Sequence, residues 1–328
     1  MSRSGNLVRL VAAELGRLRS RRVALVAALL VLAGVGLLQL AVNEEVAPPS
    51  ASEVTEQRQY YDQAHRDWEQ NHAASEKECL DAGESPESCV WREPTPGDFS
   101  LTASTFAEVA PGYVELSAYL TLLATFLVGA SFIGAEFSTG SLANWLTFVP
   151  QRLLVYGSKL LAVVLASALA GAVASFSMLG LVALLTRVHG GGLTGIQDVA
   201  ATAGRAVPIA VLAGVAGFVF ALLTRHTVAA LGIALGYLVV SVVLGGLVAN
   251  AEGPLGWLPP WLPENNVSAF LQHGSTYQQY VETVTENGTS GDSIEKYISF
   301  GHSAAYWAVL LVVAVVSGAL VFRHRDVT

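Results

Sequence analysis

The sequence has 328 residues, of which 52% are hydrophobic and 13% are charged, against about 25% charged in an average soluble domain. Its apolar residues fall into runs of about 20, the length that crosses a hydrocarbon layer of about 30 Å at 1.5 Å per residue. These runs do not show the alternation of a membrane β-barrel, and a spanning segment must otherwise satisfy its backbone polar groups as a helix. We therefore expect an all-α integral membrane protein and exclude a soluble globular one.

Six apolar runs are long enough to be predicted as transmembrane helices. The first run follows several arginines, as the apolar part of a signal peptide does, but its length and the lack of a small-x-small cleavage site before Asn43 favour a retained anchor. The six spans are placed at residues 23–42, 113–135, 160–186, 206–224, 227–249 and 303–322.

Residues 1–22 alternate arginines with apolar residues. The apolar positions cluster on one face of a helix at 100° per residue, and they are Leu7, Val8, Val11, Leu15 and Leu18. This pattern predicts an amphipathic helix in the cytoplasmic membrane interface, with its arginines against anionic headgroups. A disordered basic leader is the alternative interpretation.

The distribution of charge orients the predicted spans. With both termini in the cytoplasm, the inner segments hold eleven of the 18 basic residues and three of the 26 acidic residues, a balance of +8. The outer segments hold the other seven bases and 23 acids, a balance of −16. This is the positive-inside pattern, and it places the tail at residues 323–328 in the cytoplasm.

Residues 43–112 form the longest polar segment, with fifteen acids and four bases, and are predicted to be an extracellular acidic domain. The stretch from Ser52 to Cys79 has a helix-forming composition, and we expect two helices packed as a small cap. One face of the predicted helix carries Tyr60, Tyr61, Ala64, Trp68 and His72. The acid excess is typical of a solvated face, and attraction of a cationic substrate is the alternative.

Cys79 and Cys89 are the only cysteines of the chain. Both lie in this outside segment, where thiols are not kept reduced, so a disulfide closing the short loop is the preferred interpretation. Free thiols or a metal pair are the alternatives, although neither a CxxC motif nor a histidine cluster accompanies the two cysteines.

Residues 250–302, between the last two spans, combine four prolines with Trp257 and Trp261 before a polar stretch. Prolines break regular helix and tryptophans favour the lipid–water boundary. We therefore expect broken, re-entrant or surface-lying helices at the outer face. Two titratable residues near the interface, Glu115 and His302, are candidates for lining a transport path, and hydrated side chains without such a role are the simpler alternative.

Glycines recur at helical spacing in the spans. Gly217 lies in the fourth span, and Gly232 and Gly236 lie four residues apart in the fifth. Small residues at this spacing predict a close approach of helices, either within one subunit or across a dimer.

The cytoplasmic connection at residues 136–159 has the most informative pattern. A Ser/Thr/Gly cluster follows Glu136 and can cap a short helix from about Thr139 to Phe148, which ends before Pro150. Such a helix lies across the inner mouths of two spans, so a force applied to it moves both. Taken singly, Arg152 and Lys159 are explained as membrane anchors and Glu136 as a cap or an ion-pair partner.

Taken together, these residues resemble the ABC type-2 permease family of ATP-driven exporters. The matching pattern begins with a glutamate, has Gly-Ser four residues later, and continues with a Pro-x-Arg centre and a lysine seven residues beyond the arginine. The resemblance assigns the contact with the ATPase to this segment, here Glu136, Gly140, Ser141, Asn144, Trp145, Pro150, Arg152 and Lys159.

The resemblance implies a permease subunit that pairs with a second permease, identical or homologous, and binds two ABC ATPase subunits. No GxxxxGK[ST] motif occurs in the chain, so we expect no cofactor and no enzyme activity here, with ATP and magnesium on the partner ATPase. The expected function is outward movement of an amphipathic or lipid-like molecule, a drug or a peptide.

Two other classes of function are alternatives to the exporter. One is an ATPase-coupled membrane anchor that transmits conformational change to its outside domain, as a sensor or scaffold. The other is a lipid-modifying membrane enzyme, which is disfavoured because no nucleophile–base or metal constellation appears. Membrane lipids but no nucleic acid are expected as partners. The basic inside, the disulfide and a residue usage typical of a GC-rich, actinobacterial-like genome indicate a bacterial plasma membrane.

Overall fold

The computed structural model of the chain describes residues 3–83, 85–99, 101–148, 151–249, 257–285 and 288–324. The chain divides into two compact units. Unit 1 comprises Met1–Leu37, Pro111–Gly180 and Gln197–Thr328, and unit 2 comprises Leu38–Ala110 and Leu181–Ile196.

Most of the described residues are helical. The helices are α1 (Arg3–Ser20), α2 (Arg22–Val46), α3 (Ala51–Asp81), α4 (Phe106–Ser138), α5 (Ser141–Phe148), α6 (Arg152–Val188), α7 (Ile196–Thr224), α8 (Thr227–Ala249), α9 (Pro263–Leu271) and α10 (Phe300–His324). Short 3₁₀ turns occur at Pro96–Phe99 and Pro259–Trp261, and two strands, β1 (Gly274–Thr285) and β2 (Gly288–Ser299), precede α10.

Five helices of the described chain are long and apolar enough to cross a membrane, namely α2, α4, α6, α7 and α10. In α8 the apolar part Thr227–Val243 is shorter, so the count of six spans stays a prediction. Each long helix includes the apolar run predicted for it. Helices α6 and α7 begin eight and ten residues before their predicted runs, because helix formation continues into polar sequence that a hydropathy criterion excludes.

The main core of unit 1 joins side chains from α4, α6, α7 and α10. Phe132, Tyr156, Phe218 and Phe322 are all buried in it, and Leu18 of α1 also contributes. Helix α7 is the most enclosed of the long helices: 61% of the residues in its apolar 18-residue stretch are buried, against 11% for α2 and for α10. Helix α7 therefore lies at the centre of unit 1.

Glycine faces allow α7 to approach its neighbours closely. A Cβ atom on Gly217 would overlap the backbone of Phe126 in α4, and one on Gly129 of α4 would overlap the backbone of Gly214. Gly217 thus makes the close approach that the sequence indicated. A Cβ atom on Gly232 or Gly236 would meet no atom within 4 Å, so these two glycines make no such contact within the described chain.

The segment before α10 differs from the helical expectation. A short helix, α9, does follow the proline-rich stretch, but β1 and β2 form an antiparallel hairpin with Gly274 opposite Ser299 and Thr285 opposite Gly288. The prediction of helices at residues 274–299 was wrong. Threonine, tyrosine and valine, which are frequent in this segment, favour strands. Residues 250–256 of this segment lie outside the described residues.

Helix α3 of unit 2 covers the stretch predicted from Ser52 to Cys79 and extends to Ala51 and Asp81. It begins with a capping box, in which Ser50 and Glu53 each accept a hydrogen bond from the backbone N–H of the other. The prediction of two helices was wrong: the described residues between α3 and α4 form turns, loops and the 3₁₀ turn Pro96–Phe99, and this chain returns along α3.

One face of α3 holds this returning chain. Trp68 Nε1 donates to the carbonyl of Trp91 at 2.7 Å, and the Tyr61 ring lies edge-on to Phe99 with centroids 5.7 Å apart. Tyr60, expected on the same face, is 56% exposed. Cys79, near the end of α3, and Cys89 are joined by a disulfide, the pairing favoured by the sequence.

Candidate functional site

Three charged residues from different helices of unit 1 meet in a buried ion cluster. Lys159 Nζ of α6 donates to both carboxylate oxygens of Glu14 of α1 at 3.0 Å and to Glu136 Oε1 of α4 at 2.9 Å. The second oxygen of Glu136 lies 2.7 Å from the same nitrogen. The side chains of Lys159 and Glu14 are fully buried, and that of Glu136 is 4% exposed.

Two arginines surround this cluster. Arg21, between α1 and α2, donates to Glu136 Oε1 at 3.3 Å and to the carbonyl of Ser131 at 3.2 Å. Arg17 Nη1 lies 3.6 Å from Glu14 Oε1 and is partly exposed. Three cations therefore face two carboxylates, so the cluster carries a formal charge of +1.

Aromatic rings complete the surroundings of the cluster. Phe132 of α4 presents its ring at 5.3 Å to Lys159 Nζ and at 5.2 Å to the Arg21 guanidinium. The Arg17 guanidinium lies 4.1 Å from the ring centre of Trp145 in α5. These distances are those of cation–π contacts. Through Arg17, the ion cluster thus reaches the short helix α5.

The local sequence of α1 and of α4 explains how each helix places its glutamate in the ion cluster. On α1, the spacing of Val11, Glu14 and Leu18 places the glutamate within the buried face of an otherwise arginine-rich helix. Glu136 lies in the last turn of α4, where the helix dipole disfavours a negative charge. Its ion pairs with Lys159 and Arg21 offset this penalty.

Two residues, Thr139 and Gly140, separate α5 from α4. Gly140, between the two helices, has φ +67°, a left-handed conformation that a residue with a Cβ atom rarely adopts. Ser141 begins α5, two residues after the predicted start at about Thr139, and its hydroxyl accepts a hydrogen bond from Thr139 at 3.1 Å. Asn144 is exposed and Trp145 is partly buried.

The structure brings some of the predicted site residues together and separates others. Glu136, Trp145 and Lys159 belong to the cluster or contact it. Arg152 is the first residue of α6, about two turns before Lys159, and Pro150 lies outside the described residues. Glu115 accepts hydrogen bonds from Tyr119 at 3.2 Å and Gln272 at 2.7 Å.

His302, the second predicted path residue, has different partners from Glu115. Its Nε2 lies 3.1 Å from the carbonyl of Pro260, and its ring is edge-on to Trp261. The structure therefore does not unite the two predicted path residues in one site.

Glu14 is the main participant that the sequence analysis did not identify. It is the only acidic residue of α1, and its position between Val11 and Leu18 on the buried face was a usable signal. Among the residues that the structure describes, no group of three or more His, Cys, Asp or Glu side chains is arranged to hold a metal ion.

Comparison with known proteins assigns the chain to a family. A search of curated proteins gives no match. The family model for the ABC-2 family transporter protein matches residues 14–327, which include every residue of the ion cluster and all five helices capable of crossing a membrane. The chain is therefore a multi-pass membrane protein that belongs to the ABC-2 transporter family, whose members are the membrane components of ABC transporters and work with ABC ATPase subunits.

Proposed function

We propose that this chain is the permease subunit of an ABC exporter, driven by a separate ATPase that docks on α5. The observation that carries the proposal is the buried contact of Lys159 with Glu14 and Glu136. It ties α1, α4 and α6 to one another, and the Arg17–Trp145 contact adds α5. A displacement of α5 therefore acts on three further helices together.

The ion pairs of Lys159 with Glu14 and Glu136 hold the helices together strongly because they are buried. Removing one partner of a buried ion pair costs about 3–5 kcal/mol, because the remaining charge is left without compensation. The helices that share the cluster consequently resist separation more strongly than helices joined by exposed ion pairs, which contribute about 0–1 kcal/mol. Once a displacement of α5 acts on the cluster through Arg17, the ion pairs of Lys159 keep α1, α4 and α6 together.

The remaining parts of the proposal rest on the charge pattern and the family. Both termini and α5 face the cytoplasm of a bacterial plasma membrane, and α1 lies on anionic lipid. Two such chains, or this chain and a homologue, pair around a path, and two ATPase subunits supply ATP and magnesium. Because polar groups are sparse in the spans, an amphipathic or lipid-like substrate is moved outward.

Crosslinking tests the docking of the ATPase. A cysteine at the exposed position Asn144 should react with a membrane-impermeant maleimide only from the cytoplasmic side and should crosslink to the co-purified ATPase. The matched control is a cysteine at Tyr60, an exposed residue of α3, which should react only from outside and capture no ATPase. Labelling of both positions from the same side would overturn the topology and the docking proposal together.

A second experiment tests coupling. In proteoliposomes with the ATPase, Glu136→Ala or Arg152→Ala should retain ATP turnover but lower outward movement of a fluorescent phospholipid by about tenfold, a typical coupling factor. Arg19→Ala, at an exposed position of α1, is the control and should behave as wild type. Equal transport by all four proteins would contradict the role of the segment.

The compactness of unit 2 favours a second candidate function. Leu38–Ala110 and Leu181–Ile196 form a unit of their own, with the disulfide and the capped helix α3. An ATPase-coupled anchor that transmits conformational change to this unit would use the same ion cluster. ATP-dependent change in the accessibility of Tyr60→Cys without phospholipid movement would favour this candidate over the exporter.

A further inference from the structure

A cavity in unit 1 shares no residue with the ion cluster. It has a volume of about 760 Å³, within the range of small-molecule sites. Helices α4 and α7 and the end of α9 supply its walls, and the lining includes Glu115, Asp198, Thr202, Arg205, Gln272 and His273.

Arg205 provides an unused hydrogen-bond donor at this cavity. Its Nε donates to the carbonyl of Ala201 at 3.1 Å and its Nη2 to Thr202 Oγ1 at 3.4 Å, both on the preceding turn of α7. These bonds hold the guanidinium in place. Its Nη1 is buried out of reach of the cavity and has no hydrogen-bond partner among the described residues. The donor left for a ligand is the second N–H of Nη2, together with the positive charge of the guanidinium.

Two carboxylates line the same cavity as this cation. Glu115 is held by Tyr119 and Gln272, and Asp198 is an exposed residue in the first turn of α7. The acidic and basic side chains of the lining, His273 apart, are two carboxylates and one guanidinium. A purely anionic ligand would meet repulsion here, whereas a ligand with both an anion and an ammonium group finds a partner for each.

The wall at His273 is fixed in an unusual conformation. His273 has φ +65°, which is rare for a residue other than glycine and persists only where the surroundings hold it. Its ring stacks on Phe300 with centroids 4.7 Å apart. The preceding residue, Gln272, donates to Glu115, so the end of α9 is connected to α4 at the cavity.

The position of the cavity along α4 indicates the source of the ligand. Glu115 and Glu136 lie 21 residues apart in one helix, which at 1.5 Å per residue is about 30 Å. This separation equals the thickness of the hydrocarbon layer. With Glu136 at one membrane surface, the cavity lies at the depth of the headgroups of the other leaflet.

From these observations we infer that the cavity binds the headgroup of a phosphoethanolamine lipid. The phosphate accepts hydrogen bonds from Arg205, and the primary ammonium group donates to Asp198 and Glu115. A choline headgroup has no N–H to donate, and a glycerol headgroup carries no positive charge, so neither satisfies both sides of the cavity. The site needs no ATPase, and its test is therefore independent of the proposed coupling.

The test measures binding to the purified full-length chain in detergent, without ATPase. Dihexanoyl phosphatidylethanolamine, phosphatidylcholine and phosphatidylglycerol are titrated, and the dissociation constants are obtained by microscale thermophoresis. We expect phosphatidylethanolamine to bind most tightly. Arg205→Gln should weaken its binding by about tenfold, the effect of one charge-assisted hydrogen bond. Asp198→Asn should weaken phosphatidylethanolamine binding but strengthen phosphatidylglycerol binding, because it removes one of the two carboxylates that repel an anionic headgroup.

Arg187→Gln, at an exposed arginine at the end of α6, is the matched control and should bind as wild type does. Thermal unfolding verifies that each variant is folded. Equal affinity of wild type and Arg205→Gln, or equal affinity for the three lipids, would overturn the inference.

Soluble O-phosphoethanolamine distinguishes a lipid ligand from a free phosphate ester. If it binds as tightly as dihexanoyl phosphatidylethanolamine, the inference of a lipid ligand is wrong, and much weaker binding supports it.

Discussion

Lys159 and Arg205 are both basic residues within unit 1, but their surroundings differ. Lys159 is fully buried and its ammonium group contacts four carboxylate oxygens of two acids. Among the residues that the structure describes, Arg205 donates to oxygen atoms of its own helix and has one buried nitrogen without a partner. The first charge is satisfied by the protein and joins helices, whereas the second lines the cavity for which we propose a ligand. Burial alone therefore does not reveal the role of a charge in this protein; its partners do.

The largest expected effect is on stability when Lys159 is removed. Lys159→Met leaves Glu14 and Glu136 buried without their shared cation, and we expect a loss of about 3–5 kcal/mol in the free energy of unfolding. Unfolding of the purified chain by SDS titration measures this loss. Lys296→Met, at an exposed lysine of β2, is the control and should change little.

The triple variant Lys159→Met, Glu14→Gln, Glu136→Gln tests whether the loss comes from uncompensated charge. It removes all three charges together, so we expect it to regain at least part of the stability lost in Lys159→Met. A triple variant less stable than the single variant would contradict this explanation.

A smaller effect is expected at the link between the cluster and α5. Trp145→Ala removes the ring that contacts Arg17, and the coupling between the two positions should be about 0.5–1 kcal/mol at this partly exposed site. A double-mutant cycle with Arg17→Gln, measured by the same titration, isolates this coupling. A parallel cycle with Arg19→Gln, at an exposed position of α1, should give none, and equal coupling in both cycles would remove the special role of Arg17.

Neutralising Arg205 should affect stability less than neutralising Lys159. Arg205→Gln loses only contacts within one helical turn, so we expect a change below about 1 kcal/mol in the free energy of unfolding. The SDS titration used for Lys159→Met provides the direct comparison. A loss as large as that of Lys159→Met would show that Arg205 is a structural residue, and would end the distinction between the two cations.

The smallest expected effect concerns the stability of the start of α3, where the exposed carboxylate of Glu53 accepts a hydrogen bond from the backbone of Ser50. Hydrogen bonds from Ser50 hold the pKa of Glu53 below its usual value. A lowered pKa in the folded state means that the stabilisation is present above the unfolded pKa and is lost as the pH falls through the folded pKa. The start of α3 should therefore open more readily in acid.

Hydrogen exchange of the amides that follow Ser50, compared at each pH between wild type and Glu53→Gln, measures this effect. The difference between the two proteins should be clear near neutral pH and should shrink below about pH 4. Glu56→Gln, at an exposed position on the same helix, is the control. A difference that is independent of pH would exclude the carboxylate as the cause.

The long helices were predictable because a membrane-spanning segment must carry a long apolar run. Helix α5 was predictable because Gly140 and the serine–threonine cluster mark its start locally. The hairpin of β1 and β2 was not predicted, because the tryptophans and prolines before it indicate broken helices, whereas only its threonines, tyrosines and valines favour strands.

The ion cluster was only partly predictable. Glu136 and Lys159 lie in one recognisable segment, but Glu14 is more than a hundred residues away from both. Sequence spacing describes the faces of a single helix and does not state which helices adjoin. The same limit applies to the cavity, whose lining at Glu115, Arg205 and His273 comes from three separate parts of the chain.

The glycine contacts between α4 and α7 have a mechanical consequence. Where Gly129 faces Gly214 and Gly217 faces Phe126, no side chain separates the two backbones, so neither helix slides past the other without a steric clash. We expect α4 and α7 to move as one rigid pair. Glu136 lies near one end of α4, and Glu115, which lines the cavity with Arg205, lies about 30 Å from it along the helix. We therefore expect movement imposed on α4 at the ion cluster to displace α7 and the cavity as well, because few side chains lie between the two helices to absorb it.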